Sequence, residues 1–355
     1  MTIYLILIGS ILFADFIESR RTSYILFGIL AIFTTAISAC RYMVGTDYEG
    51  YLLIFNEIKF GHDSYVEPGY YILNKLVASL GGTGVSVISI AAIFTNLAFA
   101  YTIKKNESKE FLIYSLFIYI CSELYFLSMN VLRQYIAIGV MLFGFEYLKK
   151  RKYLRYLIFV GIAMLFHTSA IFSLVLVFCI YINDKKPIIR FMNAVVILSM
   201  LFIFLDFRPL IQNMLSNILA DTRWSAYING YQSIYFNKRS AVSIYKLIIP
   251  NVVWLVMYFF VYKKNKSEYT DEYMIGWFFY VFLSNLFYGI PVFQRVYNMF
   301  EYNIIYIIPL IIKLGETRAQ QFLFKSLITA YYVTLTGVAI FYLGSNGVVP
   351  YQTFF

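Results

Sequence analysis

Charged residues are scarce in this chain: Asp, Glu, Lys and Arg together form 14% of its 355 residues. A soluble domain of this length carries about 25% charged residues. The chain is instead 61% hydrophobic, with a mean hydropathy of +0.70. It also lacks a polar stretch of roughly 100 residues that could form a separate soluble domain. These shortages predict a single integral membrane domain over residues 1–355.

Cysteine and histidine are also rare, with three and two residues. Cys40, Cys121 and Cys179 lie in or beside apolar segments, and their spacing offers neither a disulfide framework nor a set of metal ligands. The chain contains no P-loop, GxSxG, HExxH or Asp-x-Asp motif, which excludes a nucleotide-driven motor. We expect no cofactor and no metal, although Asp47 and Glu67 could share an ion if the fold placed them together.

The net charge of +10 comes mostly from short Lys and Arg clusters between the apolar segments, such as Lys149-Lys150-Arg151-Lys152. Clusters of this kind mark the cytoplasmic side of a membrane protein. When all of them are placed inside, both chain termini lie outside. The charge therefore indicates topology and contact with anionic membrane lipids, and it gives no support for binding of nucleic acid.

The apolar segments predict an all-α fold, a polytopic membrane helix bundle of about 12 helices of which 10–12 span the bilayer. Helices are expected at residues 2–17, 23–40, 84–103, 111–128, 130–148, 155–166, 168–183, 190–206, 244–262, 273–290, 296–313 and 325–343.

The segment 155–183 has basic clusters on both sides, at 149–155 and 185–190. A single span would place one of these clusters outside, against the orienting preference. We therefore predict two short helices that form a hairpin with His167 near its outer tip, and one long helix is the alternative. A cysteine at position 167 that reacts with a reagent added from outside would support the hairpin.

Two outer loops are long, at about 41–83 and 207–243. In the first, aromatic and apolar residues at spacings of three and four predict an amphipathic helix over 47–60 that lies on the membrane. The apolar stretch 69–80 is too short to span and could be re-entrant. The second loop carries aromatic residues suited to interfacial anchoring or to sugar stacking, namely Trp224, Tyr227, Tyr231 and Tyr235.

Several arginines lie away from the inner clusters, at segment ends or in the outer loops. They are Arg41, Arg133, Arg208, Arg223, Arg239 and Arg295. Positive charge on the translocated side opposes the orienting preference, which favours a functional role. Guanidinium groups bind phosphate and pyrophosphate through two parallel hydrogen bonds. For Arg41, anchoring of a helix end by reaching to the lipid headgroups is an equal alternative.

Arg133 and Gln134 open a long apolar helix. A helix N-terminus supplies unpaired N–H groups and partial positive charge, so Arg133 at this position is a good receptor for an oxyanion or phosphate. Arg295 follows Pro291 at the outer end of another helix, where it also suits an anionic headgroup. His167 is either a hydrogen-bonded core residue or a functional residue at the hairpin tip.

Acidic residues supply the candidate bases. Asp47, within Gly45-Thr46-Asp47-Tyr48, is either a helix N-cap or a carboxylate base just above the membrane. Glu67, before Pro68, either takes part in chemistry or only pairs with an arginine. Glu301 is six residues after Arg295, so these two residues do not share one helix face.

Short motifs that contain these residues follow one another in a fixed order: Arg41 with Gly45-Thr46-Asp47-Tyr48, Glu67-Pro68-Gly69-Tyr70, Arg133-Gln134, Phe166-His167-Thr168-Ser169-Ala170, Arg295 with Tyr302, and Pro309. In this order and spacing they resemble the EpsG-type branch of the Wzy polysaccharide polymerases, over about residues 41–309. The resemblance implies a GT-C-like enzyme of the bacterial inner membrane that polymerises O-antigen, capsule or exopolysaccharide repeat units. It further implies donors and acceptors linked to undecaprenyl pyrophosphate on the periplasmic side, and a separate protein that regulates chain length.

The mechanism expected from this resemblance is attack by a hydroxyl of the incoming repeat unit on the anomeric carbon of the growing chain. Asp47 is the first choice of base and His167 the second. The departing pyrophosphate is stabilised by Arg133 and Arg295, with Arg41 as a third candidate. Further contacts to pyrophosphate or sugar are expected from Glu67, Gln134, Glu301 and Tyr48.

Three other functions stay open from the sequence. An O-antigen ligase would use the same arginines but transfer the polymer to a lipid A core. A transporter or flippase of lipid-linked oligosaccharides would be expected to show interrupted helices near the bilayer midplane and an inverted repeat, and no repeat is visible. A membrane acyltransferase would need a histidine on the inner face, whereas His167 is expected outside.

Overall fold

The computed structural model describes residues 1–17, 22–62, 64–205, 210, 213–214, 216–217, 241–263, 269–288 and 290–354. The predicted all-α fold is confirmed for these residues, in which an isolated antiparallel bridge joins Arg41 to Thr353. Three helices are long and apolar enough to cross a membrane, Gly84–Asn106, Thr168–Lys185 and Arg318–Tyr342. Shorter apolar helices accompany them, so we describe a helical membrane protein; the number of spans stays a prediction.

The chain divides into two compact units, Met1–Leu174 with Ile304–Phe355, and Val175–Asn303. The expectation of one membrane domain over the whole chain is not tested by this division. The first unit begins with the helices α1 Thr2–Ile17, α2 Ser23–Ala39, α3 Tyr48–Lys59, α4 Pro68–Ser79, α5 Gly84–Asn106, α6 Leu112–Cys121, α7 Leu124–Ser128, α8 Leu132–Lys149 and α9 Tyr153–Met164.

A 3-10 turn, Thr168–Ser173, leads from α9 into α10, Leu174–Lys185, which continues into the second unit. The second unit further contains α11 Ile189–Ser199, α12 Leu201–Phe204, α13 Ala241–Val256, α14 Thr270–Phe287 and α15 Pro291–Glu301. A short π-helix, Met257–Tyr262, continues α13. The chain then returns to the first unit with α16 Ile304–Ile312 and α17 Arg318–Thr336, which is continued by a short π-helix, Gly337–Tyr342.

The centre of the first unit is α6, whose ten residues are all buried. It packs among α1, α2, α5, α16 and α17, and α5 packs in turn against α8. Buried alanines on α5, such as Ala91 and Ala98, allow this close approach, because small residues let membrane helices pack through van der Waals contact. The Phe99 ring on α5 stacks on that of Tyr119 at 4.3 Å.

Two long helices expected from the sequence are broken. The segment 111–128 is interrupted because Glu123 adopts a left-handed backbone (φ 72°); the Thr336 hydroxyl donates to the Cys121 carbonyl at this break (3.0 Å). The segment 296–313 is interrupted at Asn303, whose side-chain amide donates to the Phe300 carbonyl (2.8 Å). Side-chain amides that bond the backbone locally compete with helix continuation.

The chain reversal required by the predicted hairpin over 155–183 is confirmed between α9 and the segment Thr168–Ser173. The Tyr156 hydroxyl on α9 donates to the Ser173 carbonyl at 2.9 Å, whereas one continuous helix would separate these residues by about 25 Å. The chain reverses at residues 165–167, which we call the hairpin tip. There His167 is extended (φ −156°, ψ 124°) and caps the following turn.

The first outer loop contains the short helices α3 and α4, close to the boundaries expected at 47–60 and 69–80. Their placement on or in the membrane stays a prediction. The aromatic residues expected to anchor or stack in the second loop, and with them Arg208, Arg223 and Arg239, lie outside the described residues.

Leu165 provides a test of the side on which the hairpin tip lies, because it is 45% exposed while His167 is 8% exposed. We expect Leu165→Cys, with the native cysteines replaced by serine, to react with a membrane-impermeant maleimide added to intact spheroplasts. Lys150→Cys, at an exposed position in an inner cluster, is the control and should react only after permeabilisation. Labelling of Leu165→Cys that also required permeabilisation would place the tip inside.

Candidate functional site

Arg133 and Glu67 form an ion pair. Arg133 is the second residue of α8, and its Nη1 lies 2.5 Å from Oε2 of Glu67. Glu67 precedes Pro68, the first residue of α4, and has an extended backbone, as expected for a residue before proline. Both side chains keep some solvent exposure, 25% for Arg133 and 14% for Glu67. Of the two roles open for Glu67, pairing with an arginine is therefore observed.

Tyrosine rings pack beside this ion pair. Tyr51 on α3 and Tyr70 on α4 are buried, with ring centroids 6.0 Å apart in an edge-to-face arrangement. Burial raises the pKa of Tyr51 to about 12, while the charge of Arg133 and a hydrogen bond to it act in the opposite direction. The negative charge of Asp47 also raises this pKa. Tyr51 therefore stays protonated at neutral pH and lies within electrostatic range of both the acid and the arginine.

The hairpin tip contacts the same helix end that carries Glu67. The Gly69 N–H donates to the Leu165 carbonyl at 2.7 Å. A Cβ atom at Gly69 would lie only 2.8 Å from that oxygen, so this approach requires glycine. Phe166 packs on the hydrophobic cluster that contains Tyr51, Tyr70 and residues of α5 and α8. The tip, α4 and the start of α8 therefore form one assembly.

His167 is hydrogen-bonded to the turn that follows it. Its Nδ1 lies 2.7 Å from the Ser169 hydroxyl oxygen and 3.3 Å from the Ser169 backbone nitrogen. This arrangement fits a hydrogen-bonded core residue, one of the two roles open for His167, and its second-choice role as a base stays a prediction.

Asp47 occupies the N-cap position of α3, but its carboxylate makes no capping hydrogen bond. The side chain is exposed. The Thr46 hydroxyl lies 3.2 Å from Oδ1 of Asp47 and 3.2 Å from Oδ1 of Asn130. The carboxylate is thus oriented by a neighbouring hydroxyl and remains open to a ligand, as a base requires.

Arg41, Tyr48 and Gln134 are buried, with 0%, 1% and 1% exposure. The Arg41 guanidinium turns inward and donates to the Ser38 and Met129 carbonyls, which disfavours contact with lipid headgroups, and its expected binding of pyrophosphate stays a prediction. The guanidinium turns inward because both carbonyls lie at helix ends, where no intrahelical donor satisfies them. The Tyr48 hydroxyl donates to the Arg41 carbonyl at 3.2 Å.

Arg295 and Glu301 belong to the second unit, on α15. Arg295 is half-buried, and Glu301 accepts a hydrogen bond from the Tyr280 hydroxyl at 3.3 Å. Their participation in one site with Arg133 stays a prediction. Among the described residues, no three acidic, histidine or cysteine side chains are grouped as metal ligands.

Sequence reasoning missed the last residues of the chain, 345–354, which we call the C-terminal segment. Its Asn346 and Gly347 carbonyls accept the backbone N–H groups of Thr46 (3.3 Å) and Gly45 (2.9 Å). The Asn130 amide donates to the Asn346 carbonyl at 2.9 Å. A glycine-rich run, Gly344 to Gly347, was the local signal for a turn, but its partner lies some three hundred residues earlier in the chain.

The apolar helices, together with charged groups gathered at one end of the first unit, define a membrane protein with a polar site at its helix ends. A family model matches residues 24–353, and the chain belongs to the EpsG family, a family of Wzy-like polymerases. No curated protein and no solved structure matches this chain. The family supports a polysaccharide polymerase-type function in the membrane.

The contact between Gly69 and the hairpin tip can be tested by measuring the thermal stability of variants. We expect Gly69→Ala to lower the apparent melting temperature of the purified protein in detergent, because the added methyl group meets a backbone carbonyl; overpacking of this kind costs about 1–3 kcal/mol. Gly50→Ala is the matched control, since a Cβ there meets nothing within 4 Å and alanine favours helix. A Gly69→Ala protein that melts at or above the wild-type temperature would contradict the close contact.

Proposed function

We propose that this protein is a membrane glycosyltransferase that polymerises undecaprenyl-pyrophosphate-linked oligosaccharide repeat units. The reaction takes place on the periplasmic side of the bacterial inner membrane and releases undecaprenyl pyrophosphate, and the fold is of the GT-C kind. The observation that carries this proposal is the partly exposed Arg133–Glu67 ion pair at the start of α8, in the same unit as the exposed carboxylate of Asp47.

In the proposed reaction a hydroxyl oxygen of the incoming repeat unit forms a bond to the anomeric carbon of the growing chain. The bond from that carbon to the pyrophosphate oxygen breaks, and the pyrophosphate leaves with the electron pair. The hydroxyl proton passes to the Asp47 carboxylate. The activated pyrophosphate bond supplies the driving force, so the step needs no cofactor.

Arg133 is the proposed ligand of the leaving pyrophosphate. Its guanidinium presents several donors in a fixed plane, and the N-terminus of α8 adds partial positive charge. Glu67 balances this charge (2.5 Å). A diphosphate must therefore either replace Glu67 or share Arg133 with it, and the remaining exposure of both side chains leaves room for this exchange.

His167 is proposed as the second candidate for the base, held in place by its hydrogen bonding to Ser169. Arg295 is proposed as the second pyrophosphate ligand and Glu301 as a sugar contact. The partners are the two lipid-linked glycans, membrane lipids and a protein that regulates chain length. The O-antigen ligase differs only in its acceptor, so the product of the reconstituted reaction separates the two.

The proposal predicts a ladder of products when the purified protein, reconstituted in liposomes, receives a defined undecaprenyl-pyrophosphate repeat unit. Arg133→Ala should lower kcat by roughly 10²–10³, as removal of preorganised charge stabilisation does in other enzymes. Arg190→Ala, at an exposed position in an inner cluster, should leave the ladder unchanged. Transfer of repeat units across the bilayer without a ladder would instead identify a flippase, and normal polymerisation by Arg133→Ala would remove this residue from the mechanism.

The assignment of the base is tested by Asp47→Asn, which we expect to lower kcat by about 10²–10⁴ because the amide cannot accept the hydroxyl proton. Glu49→Gln is the control, since Glu49 is an exposed acid two residues away on the same helix. Full activity of Asp47→Asn together with loss of activity in His167→Ala would identify His167, and not Asp47, as the base.

A further inference from the structure

The turn that carries Asp47 is held by residues from two distant parts of the chain, the C-terminal segment and Asn130. The Gly45 and Thr46 N–H groups donate to the carbonyls of Gly347 (2.9 Å) and Asn346 (3.3 Å). Since the residues from 45 to 47 precede α3, these N–H groups have no helical partner of their own. The C-terminal segment supplies their acceptors, in the manner of a strand that pairs with the turn.

Asn130 connects this turn to the end of α7. Its amide Nδ2 donates to the Asn346 carbonyl at 2.9 Å, and its Oδ1 lies 3.2 Å from the Thr46 hydroxyl. That hydroxyl also lies 3.2 Å from the Asp47 carboxylate. The single Thr46 hydroxyl proton is thus shared between Asn130 and Asp47, while the backbone N–H groups of residues 45 and 46 bond the C-terminal segment directly.

The rest of the C-terminal segment is anchored to the end of α2. The Tyr42 N–H donates to the Gln352 carbonyl at 2.9 Å, and the Tyr351 hydroxyl donates to the Ile37 carbonyl at 2.9 Å. The Tyr351 ring meets that of Tyr4 on α1 edge to face, at 5.6 Å. The segment is therefore attached to the helices independently of the turn, so it can determine the position of the turn.

We propose that the C-terminal segment is a positioning element for catalysis, which sets the direction of the Asp47 carboxylate through Asn346, Gly347 and Asn130. The inference rests on the proposed role of Asp47 as the base. Asn130, Asn346 and Gly347 are positioning residues, since they act on the substrate only through Asp47. A base displaced by a fraction of an ångström to 1 Å loses much of its rate enhancement, while substrate binding elsewhere in the site is retained.

Two glycines provide a matched pair of variants in the full-length protein. Gly344 and Gly347 both have a left-handed backbone, with φ of 62° and 59°, so alanine costs a similar conformational strain at each. A Cβ at Gly347 would lie 3.0 Å from Cγ2 of Thr46 and 3.3 Å from its backbone nitrogen, whereas a Cβ at Gly344 meets nothing within 4 Å. Gly347→Ala therefore pushes on the turn and Gly344→Ala does not.

The first measurement is hydrogen–deuterium exchange of the peptide covering residues 42–48 in the reconstituted protein. We expect Gly347→Ala to speed its exchange by roughly tenfold or more, because weakened hydrogen bonds open more often, and Gly344→Ala to leave it unchanged. This measurement does not depend on activity. It reports whether the segment holds the turn even if Asp47→Asn proves that the carboxylate is not the base.

The second measurement is the kinetics of polymerisation. We expect Gly347→Ala to lower kcat roughly tenfold to a hundredfold with KM for the lipid-linked repeat unit within about twofold, and Gly344→Ala to match the wild type. Asn130→Ala should likewise lower kcat with little change in KM, and it replaces Gly347→Ala in the test if that variant does not fold. Faster exchange with unchanged kcat, an equal loss in Gly344→Ala, or a rise in KM alone would overturn the positioning role.

Discussion

The hydrogen bonds of the buried Arg41 guanidinium are the interaction on which the Asp47 end of the first unit depends. The guanidinium donates to carbonyls at the ends of two helices, Ser38 on α2 and Met129 after α7. A cation that is fully removed from solvent must find such acceptors, because an unsatisfied buried charge costs several kcal/mol. Arg41 therefore joins the two helix ends and fixes the backbone that leads directly into the Asp47 turn.

The position of the candidate site depends on this connection between the two helix ends. The Tyr48 hydroxyl donates a hydrogen bond to the Arg41 carbonyl, which fixes the start of α3. Tyr51, one turn further along α3, then lies beside Arg133. On the other side Pro68 sets the direction of Glu67, and Gly69 allows the hairpin tip to dock. Groups that could move a proton or hold a diphosphate are thus attached to rigid helix ends, where they can stay in place while a flexible lipid-linked substrate binds.

Charge placement made several features predictable. Basic clusters on both sides of 155–183 were sufficient to predict the hairpin. Such clusters prefer the cytoplasmic side, and a single span would place one of them on the opposite side of the membrane. Arg133 at a helix start and Glu67 before a proline were also recognisable, since ionised residues beside apolar segments need a partner. The inward direction of Arg41 was not predictable in the same way, because its partners are backbone carbonyls, which every residue carries and no sequence pattern marks.

The amino-acid sequence by itself determined that this is an all-helical membrane protein with arginines away from the inner clusters, since composition and apolar length depend on local chemistry alone. Its short motifs also sufficed to indicate the EpsG family. Only the tertiary structure decided that Arg41 is buried, where Glu123 and Asn303 interrupt helices, and that the C-terminal segment pairs with the Asp47 turn. These outcomes depend on hydrogen bonds between residues far apart in the chain, and such contacts exist only after the helices have packed.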